Sequence, residues 1–374
     1  MRTQLLVVGA GPYAVAAAAH ARARGIGTHV VGHPMSFWRG QMPDEMYLRS
    51  GPGWHLDPTG EHTFEAFFED RGLDPAEHDP IPISVFLDHT DWFLAQKGLE
   101  IDGRLVAGLT HPDGHFVAVL EDGEEIEAER VLACPGVGHF TNLPEWAGRV
   151  PPDLRSHTSE RVTFDDLAGA RVAVIGGRQS AYEWAALLCD HGAARVDLVH
   201  RHATPRFERV SWAFCDPYVE QTVAVRGWWR TLTPVAREQI IREFWEVGRL
   251  TLEHWLVPRL DPTVVTSHPR TAVEAVDGHG PVALGLSDGT TLVVDHVVLA
   301  SGYVADLDRV PWLGGVRDQV SVTDGFPDLT AGFETSLPGL YLTGFAATRD
   351  FGPFYGFTKG CASSAQLVVE EMLR

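Results

Sequence analysis

Lysine is nearly absent from this chain, and cysteine is scarce. Among 30 basic side chains, only Lys97 and Lys359 are lysines. The four cysteines lie far apart and form no Cys-x-x-Cys pair; they are Cys134, Cys189, Cys215 and Cys361. This spacing indicates neither a disulfide framework, nor a zinc knuckle, nor a redox-active dithiol.

Long apolar runs and excess positive charge are also missing. A net charge of -20 argues against nucleic acid or an anionic membrane as a partner. No stretch reaches the length of a membrane span, and the first strand begins within about five residues of the N-terminus, which leaves no space for a signal peptide. We therefore expect a cytoplasmic protein that acts on a small molecule, and the sequence leaves self-association open. With 374 residues, the chain has room for two or three domains.

A strand, a glycine-rich turn and a helix open the chain. The apolar segment 5–8 runs into Gly9-Ala10-Gly11-Pro12-Tyr13-Ala14 and then into an alanine-rich helix that ends near Arg24. In such a turn the glycines let a pyrophosphate approach the backbone, and the helix N-terminus offers free N–H groups. Gly9, Gly11, Pro12 and Ala14 are therefore predicted nucleotide-binding residues.

The same device occurs a second time. The apolar segment 172–175 precedes Gly176-Gly177-Arg178-Gln179-Ser180-Ala181 and a helix that ends near His191. Two copies in one chain predict two dinucleotides, and the natural pair is FAD and a nicotinamide nucleotide. Arg178 occupies the position of the second glycine, so either its side chain swings out and pairs with the phosphates or the second site is weakened.

The end of the second strand of each unit predicts which nucleotide binds. About 23 positions after the first glycine, an acidic side chain would hold the ribose hydroxyls. Gly32 stands there in the first unit, which removes one expected FAD anchor, and Val199 stands there in the second. Because His200-Arg201-His202 follows Val199, the second site favours a 2′-phosphate read by Arg201, and hence NADPH.

A larger unit repeats around these turns. Each unit continues through a hairpin, turning at 121–123 or 287–289, to a strand that ends at Gly136 or Gly302. We predict an α/β protein with two Rossmann-like dinucleotide-binding domains, the NADPH domain inserted into the FAD domain, plus a helical tryptophan-rich insert. The predicted bounds are 1–150 and 301–374 for the FAD domain, 151–300 for the NADPH domain and 205–262 for the insert.

Two aromatic segments flank the predicted domains. After the run 33–39, which supplies Trp38 and Arg39 as predicted cofactor contacts, proline, glycine and aromatics predict long loops to about residue 82, and then a helix over 85–97. In the insert, Thr233-Pro234 predicts the start of a helix that ends near Val257. Its aromatic face either belongs to an ordinary core or roofs a substrate pocket between the domains.

The C-terminal segment predicts the surroundings of the flavin. A last strand over 340–344 leads to the aromatic stretch 351–356 and then to a helix from Thr358. A helix N-terminus aimed at the flavin would stabilise its reduced anionic ring. We expect Gly344, Phe351 and Gly352 beside the cofactor, and Phe354 and Tyr355 beside the substrate.

These motifs together resemble flavin-dependent monooxygenases that carry FAD and NADPH on one chain, including the N-hydroxylating amine monooxygenases. The matching segments are Gly9-x-Gly11-Pro12-x-Ala14, Gly176-Gly177-x-Gln179-Ser180-Ala181, Ala133-x-Pro135-Gly136 and Leu299-Ala300-Ser301-Gly302-Tyr303. Trp146-x-Gly148 followed by His157-Thr158-Ser159 resembles a stretched form of the fingerprint that precedes the NADPH motif, and it nominates His157 as a catalytic residue.

The resemblance implies a monooxygenase that transfers one oxygen atom from a C4a-peroxyflavin to a small organic substrate. Amine N-hydroxylation is the leading reaction, with sulfur or ketone oxygenation beside it, and O2 is the second substrate. No metal is implied. The alternatives are an NADPH-dependent flavin reductase or electron-transfer protein without oxygen chemistry, and a nucleotide-sensing protein without enzymatic activity.

Overall fold

The computed structural model describes residues 1–209, 211–278 and 281–374. Val210, in the predicted insert, and 279–280, in the predicted NADPH domain, lie outside the described residues. The strands, in chain order, are β1 (Arg2–Val8), β2 (Thr28–Val31), β3 (Val106–Thr110), β4 (Phe116–Leu120), β5 (Glu125–Ala133), β6 (Arg155–His157), β7 (Arg171–Ile175), β8 (Arg195–His200), β9 (Arg206–Phe207), β10 (Thr251–Leu252), β11 (Val265–Pro269), β12 (Val273–Asp277), β13 (Val282–Leu286), β14 (Thr291–Val294), β15 (His296–Leu299), β16 (Val322–Thr323), β17 (Phe326–Pro327) and β18 (Leu340–Leu342).

The helices are shorter in total and cluster around two of the sheets. They are α1 (Pro12–Ala23), α2 (Ser36–Gly40), α3 (Phe64–Arg71), α4 (Ile83–Lys97), α5 (Gln179–Asp190), α6 (Asp216–Ala224), α7 (Trp228–Thr231), α8 (Pro234–Glu243), α9 (Thr348–Phe351) and α10 (Cys361–Met372).

The first sheet carries the N-terminal turn. Its strands follow the order β2-β1-β5-β4-β3, and β18 pairs in parallel with the end of β5. β1 is parallel to β2 and β5, whereas β3, β4 and β5 form an antiparallel meander. Strand β18 therefore returns the chain to the sheet in which it began.

The second sheet is parallel throughout, with the order β11-β8-β7-β15-β6, and the antiparallel ribbon β12-β13-β14 accompanies it. The repeat extends to single hydrogen bonds. Gly9 N–H donates to Val31 O at 2.8 Å, and Gly176 N–H donates to Val199 O at 3.0 Å. Both sheets thus deliver a turn and a following helix at the carboxyl ends of their strands, the edge where open α/β sheets bind ligands. The domain bounds remain predictions.

Small side chains let the first helix lie close to its neighbours. In α1 the consecutive residues 14–19 are all buried, and five of these six are alanines. This helix packs chiefly on α10, whose interior positions also include small residues such as Ser364 and Ala365. Close helix packing on β1 fixes the direction of the α1 N-terminus toward the glycine turn.

Two predictions of local structure were wrong. The segment before residue 82 contains α3, which Thr63 caps by accepting a hydrogen bond from Ala66 N–H at 3.2 Å. The insert helix does begin at Pro234, with Thr233 as its cap, but regular α-helix ends at Glu243. A wide π-type turn then covers Phe244–Arg249, and the short strand β10 follows. Gly248 favours this early end, because glycine weakens a helix.

The helices of the described ranges are all too short, too polar, or both, to cross a membrane.

Candidate active site

The first turn is built for close backbone approach. Gly9 has φ +112°, and a Cβ there would lie 2.4 Å from the carbonyl oxygen of Cys134 at the end of β5. Glycine is therefore required by the neighbouring strand. Gly11 has no heavy atom within 4 Å of its would-be Cβ, so it leaves open space in front of the α1 N-terminus. A pyrophosphate fits this space, because the helix end supplies unpaired N–H groups.

The second turn repeats the first requirement. Gly176 has φ +152°, and a Cβ there would lie 2.4 Å from the carbonyl oxygen of Ala300, just after β15. At Gly177, a Cβ would lie 2.5 Å from the Cβ of His200 and 2.7 Å from Nε2 of His202. The segment that follows β8, the predicted 2′-phosphate reader, therefore packs directly on the phosphate turn.

Gly32 has a structural reason for lacking a side chain. It adopts φ +139°, and a Cβ would lie 3.2 Å from both Ala10 N and Gly9 Cα. A carboxylate at this position would be strained and pressed against the phosphate turn. The neighbouring His33 is exposed and lines the same cavity.

Arg178 swings out of the second turn toward the insert. Its guanidinium carbon lies 3.7 Å from the centroid of the Trp245 ring, a cation–π contact. Partial burial and the charge of Arg201 lower the pKa of Arg178 to about 10. The arginine that replaces a glycine thus joins the nucleotide turn to the tryptophan-rich insert.

A cavity of about 2110 Å³ runs past both glycine turns and under the insert. Of the predicted cofactor residues, those that line it are Gly9, Gly11, Pro12, Ala14, Trp38, Gly136, Gly176, Gly177, Arg178, Ser180, Ala181, Arg201, Gly302 and Gly344. The insert contributes Trp229, Arg237, Ile241, Phe244, Trp245 and Arg249. The insert therefore roofs the pocket, and Phe244 is also buried in the core.

Two other predicted cofactor residues are not among those that line the cavity. Arg39 is exposed and forms an ion pair with Asp91 of α4 at 2.7 Å. Gln179 is buried; its Nε2 donates to Glu183 Oε1 at 3.2 Å, and its Oε1 accepts from Glu253 N–H at 3.1 Å. Arg39 is thus directed to the α4 surface, and Gln179 ties α5 to the end of the insert.

The aromatic stretch 351–356 lies mostly behind the cavity wall. Phe354 is 1 % exposed and Tyr355 0 % exposed, and neither lines the cavity; the same holds for Phe351 and Gly352. Phe354 stacks on Tyr218 with 5.6 Å between ring centroids. The expected direct contact of Phe354 and Tyr355 with a substrate is therefore not made, because both rings pack into the core. Pro353, Gly356 and Phe357 of the same segment do reach the cavity.

His157 supports the turn after β15. Its Nε2–H donates to the carbonyl oxygen of Gly302 at 3.2 Å, since that oxygen can only accept, and its Nδ1 pairs with the hydroxyl of Ser159 at 2.8 Å. The imidazole is buried, and burial lowers the pKa of His157. His157 does not line the cavity, whereas Thr158, Ser159 and Tyr303 around it do. It is placed to position Gly302 rather than to touch a ligand.

Sequence reasoning missed Arg249, which lines the cavity from the end of the insert. Its guanidinium carbon lies 5.6 Å from the Trp245 ring centroid and 5.2 Å from that of Phe357. Burial, and then the charges of Arg178 and Arg49, lower the pKa of Arg249 to about 9. The concentration of tryptophans in 205–262 was a signal for the roof, but the π-type turn that aims Arg249 inward had no sequence signal.

The geometry of paired dinucleotide turns agrees with comparisons to known proteins. The family model for pyridine nucleotide-disulphide oxidoreductases matches residues 3–227. The chain belongs to this family. The computed fold also superimposes on the ornithine N-hydroxylase of Kutzneria sp. 744, a structure with reduced FAD and NADP+, with a TM-score of 0.83, 16% identity and coverage of 100% of this chain and 99% of that chain.

Two curated proteins match parts of this family member. The FAD-dependent urate hydroxylase of Xanthomonas campestris pv. campestris is 31% identical over 155 residues, which cover 38% of this chain and 32% of that protein. The ferredoxin–NADP reductase of Saccharopolyspora erythraea is 30% identical over 220 residues, which cover 53% of this chain and 54% of that protein. The chain thus spans about a third and about half of the lengths of these relatives.

These findings confirm the predicted α/β fold with two Rossmann-like units, the recognition of a flavoprotein oxidoreductase, and FAD and NADP-type nucleotides as its cofactors. The roles of the individual site residues remain predictions.

Proposed function

We propose that the protein is an FAD- and NADPH-dependent monooxygenase that transfers one oxygen atom from O2 to a small organic substrate. Amine N-hydroxylation is the leading reaction, and oxygenation of a sulfur or ketone is the next. The observation that carries the proposal is the cavity that joins both glycine turns under an aromatic roof. The fold shared with an ornithine N-hydroxylase supports it. A bound flavin, reduced by the nicotinamide nucleotide, would supply the activation of O2.

The chain's own residues supply binding and exclusion of water. Gly9, Gly11 and the α1 N-terminus would hold the FAD diphosphate, whereas Gly176, Gly177 and Arg201 would hold NADPH. Phe244, Trp245 and Phe357 close the cavity on the insert side with apolar rings. A dry wall of this kind protects a reactive oxygen species from wasteful decay.

A dithiol mechanism has little support in the structure, although the family name includes disulphide. All four cysteines are free. Cys134 lines the cavity, but burial raises its pKa to about 12, so its thiol stays protonated. The family's nucleotide chemistry is therefore retained here without a paired cysteine.

The second candidate is an NADPH-dependent reductase or electron-transfer protein. The match to a ferredoxin–NADP reductase favours it. Such a protein would also need two nucleotide turns, but it would pass electrons to an acceptor and would leave O2 out of its product. The two candidates therefore differ in the fate of oxygen.

Isotope labelling tests the proposal. The flavin-loaded protein is supplied with NADPH, oxygen-18 gas and a panel of amines, sulfides and ketones, and the products are examined by mass spectrometry. A monooxygenase consumes substrate, O2, NADPH and a proton, and forms oxygenated substrate, water and NADP+. We expect one labelled oxygen atom per product molecule. If NADPH is consumed with only H2O2 formed, and an added ferredoxin is reduced without oxygen, the reductase replaces the monooxygenase.

A further inference from the structure

Two arginines share one indole ring in the roof of the cavity. Arg178 comes from the second glycine turn and Arg249 from the end of the insert, and both guanidinium groups lie over Trp245. Arg249 also lies over Phe357, which belongs to the segment leading into α10. The pair therefore stands where the nucleotide turn, the insert and the C-terminal segment meet.

Both arginines lack an acidic partner among residues 1–209, 211–278 and 281–374. Neither guanidinium group has an ion pair or a hydrogen bond there. Many other arginines of this acidic chain are paired; Arg49, for example, lies 3.2 Å from Glu253. The carboxylate Glu238 also lines the cavity, but it pairs with Arg242 at 3.3 Å.

An unpaired pair of like charges is unfavourable until an anion joins it. Each guanidinium depresses the pKa of its neighbours here, which shows that mutual repulsion is felt. A guanidinium binds a carboxylate through two parallel hydrogen bonds. The rings of Trp245 and Phe357 provide apolar surface for the body of the same molecule.

We propose that Arg249, with Trp245 and Phe357, holds the carboxylate of a small organic acid, so that the substrate class of this enzyme is anionic. This inference rests on the proposed monooxygenase function. Arg249 is the favoured ligand because it reaches the cavity from the insert, away from the turn. The nucleotide already has Arg201 and the α5 N-terminus for its phosphates, and Arg178 lies between the two sites.

Binding without turnover tests the inference. Benzoate and hexanoate are titrated into the flavin-loaded protein, without NADPH, by calorimetry, and the uncharged amides of the same acids serve as probes of shape alone. We expect at least one acid to bind more tightly than its amide by roughly tenfold or more. If neither acid exceeds its amide, the proposal fails.

Variants assign the effect to the residue. Arg249→Met should weaken binding of the acid roughly tenfold to a hundredfold and leave the amide unchanged. Arg249→Lys, which keeps the charge, should recover part of the affinity and covers the case in which the methionine variant does not fold. Arg206→Met is the matched control, because Arg206 is an exposed arginine of the same insert outside the cavity lining.

The nucleotide phosphate is the rival anion, and NADP+ titration separates it. If Arg249→Met weakens NADP+ tenfold while acid binding is unchanged, Arg249 serves the nucleotide and the proposal is overturned. Because no measurement here uses O2, acid binding can be found even if the labelling experiment identifies a reductase, so the two failures are distinguishable.

Discussion

Arg201 is the residue on which the choice of nicotinamide nucleotide depends. It follows β8 directly, is exposed and lines the cavity beside the second glycine turn. A phosphate contact from arginine contributes about 1.5 to 3 kcal/mol. We therefore predict that Arg201→Ala raises the KM for NADPH roughly tenfold or more and leaves the KM for NADH nearly unchanged. Steady-state NADPH and NADH oxidation measures both.

Arg206→Ala is the control for this change, since it removes an exposed arginine five positions later from the same basic stretch. It should alter neither KM. Equal effects of Arg201→Ala on both nucleotides would show that Arg201 has a structural role instead of reading the 2′-phosphate.

At the scale of elements, one side chain of the N-terminal domain holds the roof of the cavity in place. Arg49 Nη2 donates to the carbonyl oxygens of Gly248 at 2.9 Å and Thr251 at 2.7 Å. Its guanidinium carbon also lies 4.9 Å from the Trp212 ring centroid. Both carbonyls lie at the end of the π-type turn that presents Arg249, so Arg49 sets the shape of this turn.

We predict that Arg49→Met loosens this segment locally. Hydrogen exchange of 244–253 should become at least about tenfold faster, because two carbonyls and a carboxylate lose a charged donor, which costs on the order of 2 kcal/mol or more. Strand β7 should exchange as before. Arg242→Met, which breaks an exposed pair in α8, is the control, and unchanged exchange over 244–253 in Arg49→Met would refute the clamp.

At the scale of the whole molecule, buried neutral histidines couple stability to pH. Burial lowers the pKa of His89 and of His296 to about 4. His89 is fully buried and stacks on Phe64, with 4.0 Å between ring centroids. Because the folded pKa lies below the unfolded value near 6.5, the unfolded chain binds more protons between these values. Their stabilising contribution is complete above about pH 6.5 and is lost as the pH falls toward 4.

We predict that the free energy of unfolding falls between pH 6.5 and 4, by up to about 1.4 kcal/mol per pH unit for each such histidine. Urea titrations across this range measure the slope. His89→Leu should lower the slope by about one proton, whereas His254→Leu, at an exposed site, should leave it as in the wild type. An identical slope in His89→Leu would show that His89 does not contribute.

The sequence by itself determined both nucleotide turns. Gly9 and Gly176 are readable because their requirement is local: each strand must turn into a helix beside the end of a neighbouring strand. The two hairpins and the start of α8 at Pro234 were predicted for the same reason, since turn residues and caps act over a few positions. The fold class follows from the order of these local units.

Only the tertiary structure decided which side chains reach the cavity. Phe354 and Tyr355 belong to a loop whose aromatic residues alternate between core and cavity without a regular period, so their direction depends on packing against Tyr218 and neighbouring rings. Arg249 faces inward because Arg49, about 200 positions earlier, shapes a π-type turn that helix periodicity does not describe. Contacts between residues distant in sequence set these directions, and a pattern read along the chain carries no record of them.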